Sequence, residues 1–181
     1  MLSTLFKKKL SSEQIANVFV NGVLKVVDKG FCEVKSLIEE GSAFLQAPQL
    51  ENASDGHFIM IIIVGNVKYF QDSFLPEEQK AIAPLIFEKF SHAFGMEEST
   101  FKDYFKSYSS FMSRVNHPSR VVLYSMSKAM FFKYKLNACQ DDYFRKMDTP
   151  NPLFIKRMDD IMKNFIWDWQ TFSKRFKISH H

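Results

Sequence analysis

Cysteine, glycine and proline are scarce in this 181-residue chain, at two, six and six residues. Cys32 and Cys139 are too few for a disulfide framework, and neither belongs to a C-x-x-C pair or to a Cys/His spacing that would hold zinc. This cysteine usage fits a reducing, cytoplasmic setting. With so few helix breakers the chain is expected to run in long elements. Long apolar runs are missing as well. The most apolar run, Phe58 to Val64, covers seven residues and closes on Gly65, Asn66 and Lys68, whereas a bilayer span needs about 20. Integral membrane association is not expected. At the N-terminus, Leu2, Leu5 and Phe6 meet Lys7, Lys8 and Lys9 at once, unlike the apolar stretch and small-residue cleavage site of a secretory leader.

The signatures of the large catalytic classes are absent too. No phosphate-binding loop, dinucleotide glycine fingerprint, Gly-x-Ser-x-Gly elbow, His-Glu-x-x-His or calcium loop occurs. A di-iron bundle needs Glu-x-x-His, but the only helical Glu/His pair, Glu88 and His92, is spaced four apart and reads as a surface pair. Asp159 and Asp160 point about 100° apart on a helix, which suits solvated charge better than shared acid–base work. Asp141 and Asp142 read as caps of a turn. The expectation is a non-enzymatic protein without cofactor or metal.

What the chain does contain is a 46% apolar composition with twenty phenylalanines, so aromatic rings are expected to dominate the core. Apolar residues recur at three and four positions along most of the length, which predicts an all-α, single-domain compact bundle of about six to eight helices. Residues 11–176 form this domain. They are flanked by a basic tail over 1–10 and a tail over 177–181, in which His180 and His181 read as tag-derived.

Ser11 and Gln14 have capping-box spacing, and Ile15, Val18, Phe19, Gly22, Val23, Val26 and Val27 form the stripe of a first helix predicted to end near Gly30. A second runs from Phe31 to Glu40, and residues 41–54 read as a loop with a turn near Ala43 to Gln46. A third, opened by Ser54 or Asp55 and running to about Phe70, is apolar nearly all round. It is the buried central helix, with a β-strand over Phe58 to Val64 as the rival. A fourth spans Pro76 to about Gly95, with a kink or break predicted between Ala81 and Pro84. A fifth is capped by Ser99 or Thr100 and carries Phe101, Tyr104, Phe105, Tyr108, Phe111 and Met112 on one face. A sixth opens at Pro118 and runs to Leu136. A short turn or helix covers Asp141 to Lys146, and a last helix capped by Asn151 runs to about Phe176 on Leu153, Ile161, Phe165, Trp169 and Phe172. Trp167, two residues from Trp169, either reaches the surface or covers the core.

Charge is segregated along the chain. Residues 104–140 carry Lys106, Arg114, Arg120, Lys128, Lys133 and Lys135 and no acid, while 33–55 and 72–103 are each acidic. Cations at the start of the sixth helix would oppose its dipole unless an anion or an acidic partner relieved them. Arg114, Asn116, His117, Ser119, Arg120 and Lys128 are therefore the candidate contact for an anion or acidic partner, and neutralisation by Glu97, Glu98 or Asp103 is the alternative. The leading expectation is a protein-interaction or regulatory module that engages an acidic protein through this basic surface. A small apolar-ligand binder with an aromatic and Met-lined pocket is the alternative, and a nucleic-acid binder comes third, since only two of the six cations are arginines. Homodimer formation is left open.

Overall fold

A computed structural model describes residues 8–41 and 43–178. The Ser11 capping box forms as expected: the Ser11 hydroxyl accepts from the Gln14 N–H, and the Gln14 side chain accepts from the Ser11 N–H. The helix it opens, α1 (Ser12–Glu39), does not stop at Gly30; the two predicted helices are one of 28 residues. An interior glycine costs about 1 kcal/mol against alanine, and packing explains why it is kept. A Cβ added at Gly30 would overlap the Phe165 ring, and one at Gly22 would overlap the Trp167 ring. These glycines are seats for aromatic rings. Val18 and Val26, predicted on the buried stripe, are instead 42% and 38% exposed.

Helix α2 (Gly56–Ser73) resolves the helix-or-strand alternative in favour of helix, and every residue from Ile61 to Val67 is buried. Neither Ser54 nor Asp55 caps it in the expected manner. The Ser54 hydroxyl takes the Gly56 N–H, and the hydroxyl of Tyr134, far along the chain, accepts from the Phe58 N–H at 3.2 Å. Its one internal amide side chain, Asn66, is fully buried. Asn66 Nδ2 donates to the carbonyls of Ile62 (2.9 Å) and Phe165 (2.8 Å), and Oδ1 accepts from the Trp167 N–H at 2.7 Å.

Helix α3 (Pro76–Ala93) passes through Pro84 without the expected break; Pro84 faces solvent, where water can take the freed carbonyl. Gly95, at φ +62°, ends it. Helix α4 (Glu98–Asn116) starts just before the predicted cap, and α5 (Val122–Lys133) starts four residues after Pro118, which lies in an intervening loop. The short α6 (Asp142–Lys146) is capped by Asp141, and α7 (Pro152–Met162) by Asn151, both as predicted.

The predicted last helix is broken. After α7 a 3₁₀ turn covers Lys163–Phe165, the chain extends, and Asp168 caps α8 (Trp169–Arg175). The carbonyl of Phe165 and the N–H of Trp167, which a continuous helix would consume internally, are bound by Asn66 instead. Leu153, predicted on the buried stripe, is exposed. The terminal segments also depart from the predicted tails: β1 (Lys8–Leu10) pairs in parallel with β2 (Phe176–Ile178). Residues 1–7 and 179–181 of those tails lie outside the described residues.

Rings fill the centre. Phe19 packs against Phe70, Phe90, Trp167 and Trp169 with centroids 4.7–6.5 Å apart. Trp167 thus joins the core, while both thiols are free. The loop after α1 is tied down through buried Ala43, Pro48 and Leu50 and by a Leu45 N–H bond to the Cys139 carbonyl. No helix among the described residues is long and apolar enough to cross a membrane.

Asn66→Leu should lower unfolding stability by about 3–5 kcal/mol, because it strips partners from several buried backbone groups at once. Gly22→Ala and Gly30→Ala should lower the melting temperature although helix propensity alone favours alanine; a rise in either would show that the ring seats are unimportant.

Candidate functional site

The six candidate contact residues divide by role. Asn116 is buried, and its Nδ2 donates to the Val121 carbonyl at 3.2 Å. The Ser119 hydroxyl accepts from the Val121 N–H at 3.1 Å. Both shape the loop between α4 and α5. Asn116 Oδ1 is buried without a partner, and an unpaired acceptor disfavours an anion beside it. His117 and Arg120 are exposed in the loop.

Because α5 begins at Val122, Arg114 and His117 do not flank its first turn as predicted; they end α4, where cations favour the helix dipole. The N-terminus of α5 has no side-chain cap of its own. The Leu123 N–H there meets the hydroxyl of Tyr69, whose pKa is raised by burial and partly lowered again by that amide.

The cations are organised by rings. Arg114 lies 5.5 Å from the Phe111 centroid, and Lys128 4.7 Å from that of Tyr124. Lys133 lies 4.4 Å from the centroid of Tyr108 and 4.6 Å from that of Phe111. Phe111 therefore brings Arg114 and Lys133 together, a convergence that sequence spacing does not reveal. None of the six cations between residues 104 and 140 is in an ion pair among the described residues, and the candidate neutraliser Glu98 pairs with Lys102. Beside the α5 start, Leu123, Tyr124, Tyr143, Phe144 and Met147 line a groove of about 720 Å³, and of these Tyr143 and Met147 are well exposed.

The same groove reaches Asp159, which is not the solvated charge expected. It is half-buried and bonded by the Ser127 hydroxyl, and burial pushes its carboxyl above the ordinary range despite the pull of Ser127 and Lys163. Asp160 conforms, pairing with Lys163 at 2.8 Å. Glu88 and His92 are both exposed.

At the other end of α5 lies a site that the sequence did not announce. His57, on the first turn of α2, brings Nδ1 to 2.6 Å from the Tyr108 hydroxyl and presents its ring edge-on to Tyr134. Burial, and to a lesser extent the charge of Lys133, lower the His57 pKa. Burial likewise raises the phenol pKa of Tyr108 and of Tyr134, so both hydroxyls keep their protons at neutral pH. His57 separates two clefts. One, of about 420 Å³, is walled by Ile59, Met60, Phe94, Met96, Phe101 and Tyr104. The other, of about 440 Å³, is polar and includes Asn52, Lys133 and Lys135. The sequence offered one signal, a lone histidine opening an apolar helix, but its partners come from residues 108, 133 and 134. Among the described residues no three His, Cys, Asp or Glu side chains converge on a metal-sized site. No family model matches the chain, and neither does any curated protein or solved structure.

A histidine with a depressed folded-state pKa contributes stability above its unfolded pKa of 6.5, and loses it as the pH falls through the lower folded value. The wild-type melting temperature should therefore fall more steeply from about pH 7 to about pH 5 than that of His57→Gln. Parallel curves would show that His57 is not held neutral.

Proposed function

We propose that this chain is a non-enzymatic interaction module that engages an acidic protein partner through the cation-bearing face of α4 and α5. The observation that carries the reading is that every cation of the acid-free stretch lacks an ion pair among the described residues, while Arg114, Lys128 and Lys133 are held over aromatic rings. Unpaired charge on pre-ordered side chains raises the encounter rate with an acidic surface, and the rings beneath add contact area at little entropic cost. The exposed Tyr143 and Met147 share a groove with Tyr124, whose ring holds Lys128, and supply the apolar component that a specific interface needs. Arg114, Arg120 and Lys128 are the residues through which the partner would be felt; Asn116 and Ser119 hold the loop, and His117 lies at its rim. A nucleic acid would use the same charge, but only two of the six cations of the stretch are arginines.

The test is affinity capture from native lysate, with the partner identified by mass spectrometry and its binding then measured with purified proteins. Arg114→Ser/Arg120→Ser/Lys128→Met should bind an acidic partner about ten-fold more weakly or worse. Its melting temperature should stay near that of wild type, since Arg114 and Arg120 are exposed and methionine at 128 keeps the half-buried packing over Tyr124. Equal binding by the variant would overturn the proposal, as would steeply salt-dependent binding of duplex DNA in preference to any protein.

A further inference from the structure

We infer that the apolar cleft between the start of α2 and the N-terminal half of α4 is a binding site for a small organic cation, a quaternary ammonium carried on an apolar body, with its charge met by Asp55 and by aromatic rings. The inference is independent of the acidic-partner reading, which rests on Arg114, Arg120 and Lys128.

The walls carry the first half of the argument. Phe94, Phe101, Tyr104 and Tyr108, with Met60 and Met96, line about 420 Å³, within the range of about 300–1,000 Å³ usual for small-molecule sites. Rings attract a cation through their electron-rich faces, most strongly where water is excluded. The molecule uses this contact elsewhere: Lys128 lies over Tyr124 and Lys133 over Tyr108. The Tyr104 ring, 51% exposed, holds no lysine or arginine among the described residues. Met96 is exposed beside it, so apolar surface stands open to water where a ligand would cover it.

Charge and hydrogen bonding carry the second half. Asp55 is the only charged residue among those that line the cleft. Its carboxylate caps no amide of α2 and is in no ion pair among the described residues. Lys133, whose charge is felt at His57, lines the polar cleft on the far side of that ring. Burial holds His57 itself toward the neutral form, so the apolar cleft presents a net negative lining. A carboxylate at the start of α2 also suits the helix dipole, but that role asks for no aromatic wall beside it. Spare acceptors are few, because the Ser54 hydroxyl takes the Gly56 N–H and the Tyr108 hydroxyl is bonded to His57. A primary ammonium would bring three N–H donors into this setting and leave donors unpaired, whereas a quaternary one brings none. An apolar body on the nitrogen then covers Met60 and Met96.

Titration of the full chain, ¹³C-labelled at its methionine methyls, with benzyltrimethylammonium, benzylammonium and benzyl alcohol reads the site directly. Benzyltrimethylammonium should shift the Met60 and Met96 resonances saturably while leaving Met147, in the separate groove beside α6, unmoved. Its N-methyl protons should move upfield in the ring currents of the walls. Benzylammonium and benzyl alcohol should both bind more weakly. Asp55 and Tyr104 are exposed, so substitution there leaves the core intact. Asp55→Asn should reduce benzyltrimethylammonium affinity about five-fold or more without changing that of benzyl alcohol. Tyr104→Leu, which keeps an apolar wall but removes the ring, should reduce it about three-fold or more with the same selectivity. Absence of a Met60 and Met96 response in the folded wild-type protein would overturn the site, as would equal shifts at Met147. Undiminished binding in Asp55→Asn, or benzyl alcohol binding as tight as the cation, would overturn the positive charge of the ligand. Benzylammonium binding as tightly as its trimethyl counterpart would overturn the quaternary head group.

Discussion

Asn66 is a single polar side chain in the driest part of the molecule, and the course of the C-terminal third depends on where its three hydrogen bonds go. An amide buried without partners would be costly. It is satisfied by the carbonyl of its own helix at Ile62 and by the Phe165 carbonyl and Trp167 N–H. Those last two bonds take the place of helix hydrogen bonds in the segment after α7, so the chain extends there and turns. The turn delivers Phe165 and Trp167 onto Gly30 and Gly22 of α1, and it lets Trp169 pack against Phe19 and Phe70. The clamp in the centre and the missing side chains on α1 are one arrangement: without the glycines the rings have no seat, and without Asn66 the backbone has no reason to leave the helix.

A rigid α2 at the centre also sets the geometry of the surface. Its first turn is held by the Tyr134 hydroxyl, which bonds the Phe58 N–H and the Ser54 carbonyl. That contact draws the end of α5 against the start of α2 and places Lys133 over Tyr108, beside His57. The residue carrying a positive charge to the polar cleft is thus adjacent in the chain to the one that caps the central helix. Structural satisfaction and candidate chemistry share a turn of backbone, as expected where an apolar helix must end near solvent.

The basic face is the converse case, in which charge has been kept from neutralising itself. The acids that flank residues 104–140 in the chain do not pair with those cations among the described residues; Lys102, outside the stretch, takes Glu98 instead. Aromatic rings take the place of carboxylates as partners. A ring orders a cation without cancelling its charge, which leaves the face able to attract an acidic surface.

Much of the architecture was legible from local chemistry. The capping box at Ser11, the caps at Asp141 and Asn151, the stop at Gly95 and the apolar run of α2 are all decided within a few residues of one another, and the 3.6-residue period carries their consequences along each helix. The pattern of charge was equally legible, because it needs only counting. Tertiary structure alone decided that Gly30 continues a helix, that residues 166–168 break one, that Asp159 is half-buried and that His57 meets Tyr108. Each of those outcomes depends on a group distant in the chain: the Phe165 ring for Gly30, the Asn66 amide for the break, the Ser127 hydroxyl for Asp159 and the Tyr108 phenol for His57. Periodicity identifies which face of a helix is apolar, but it carries no information about which ring or amide arrives there, since that is set by how separate helices cross and fill the space between them.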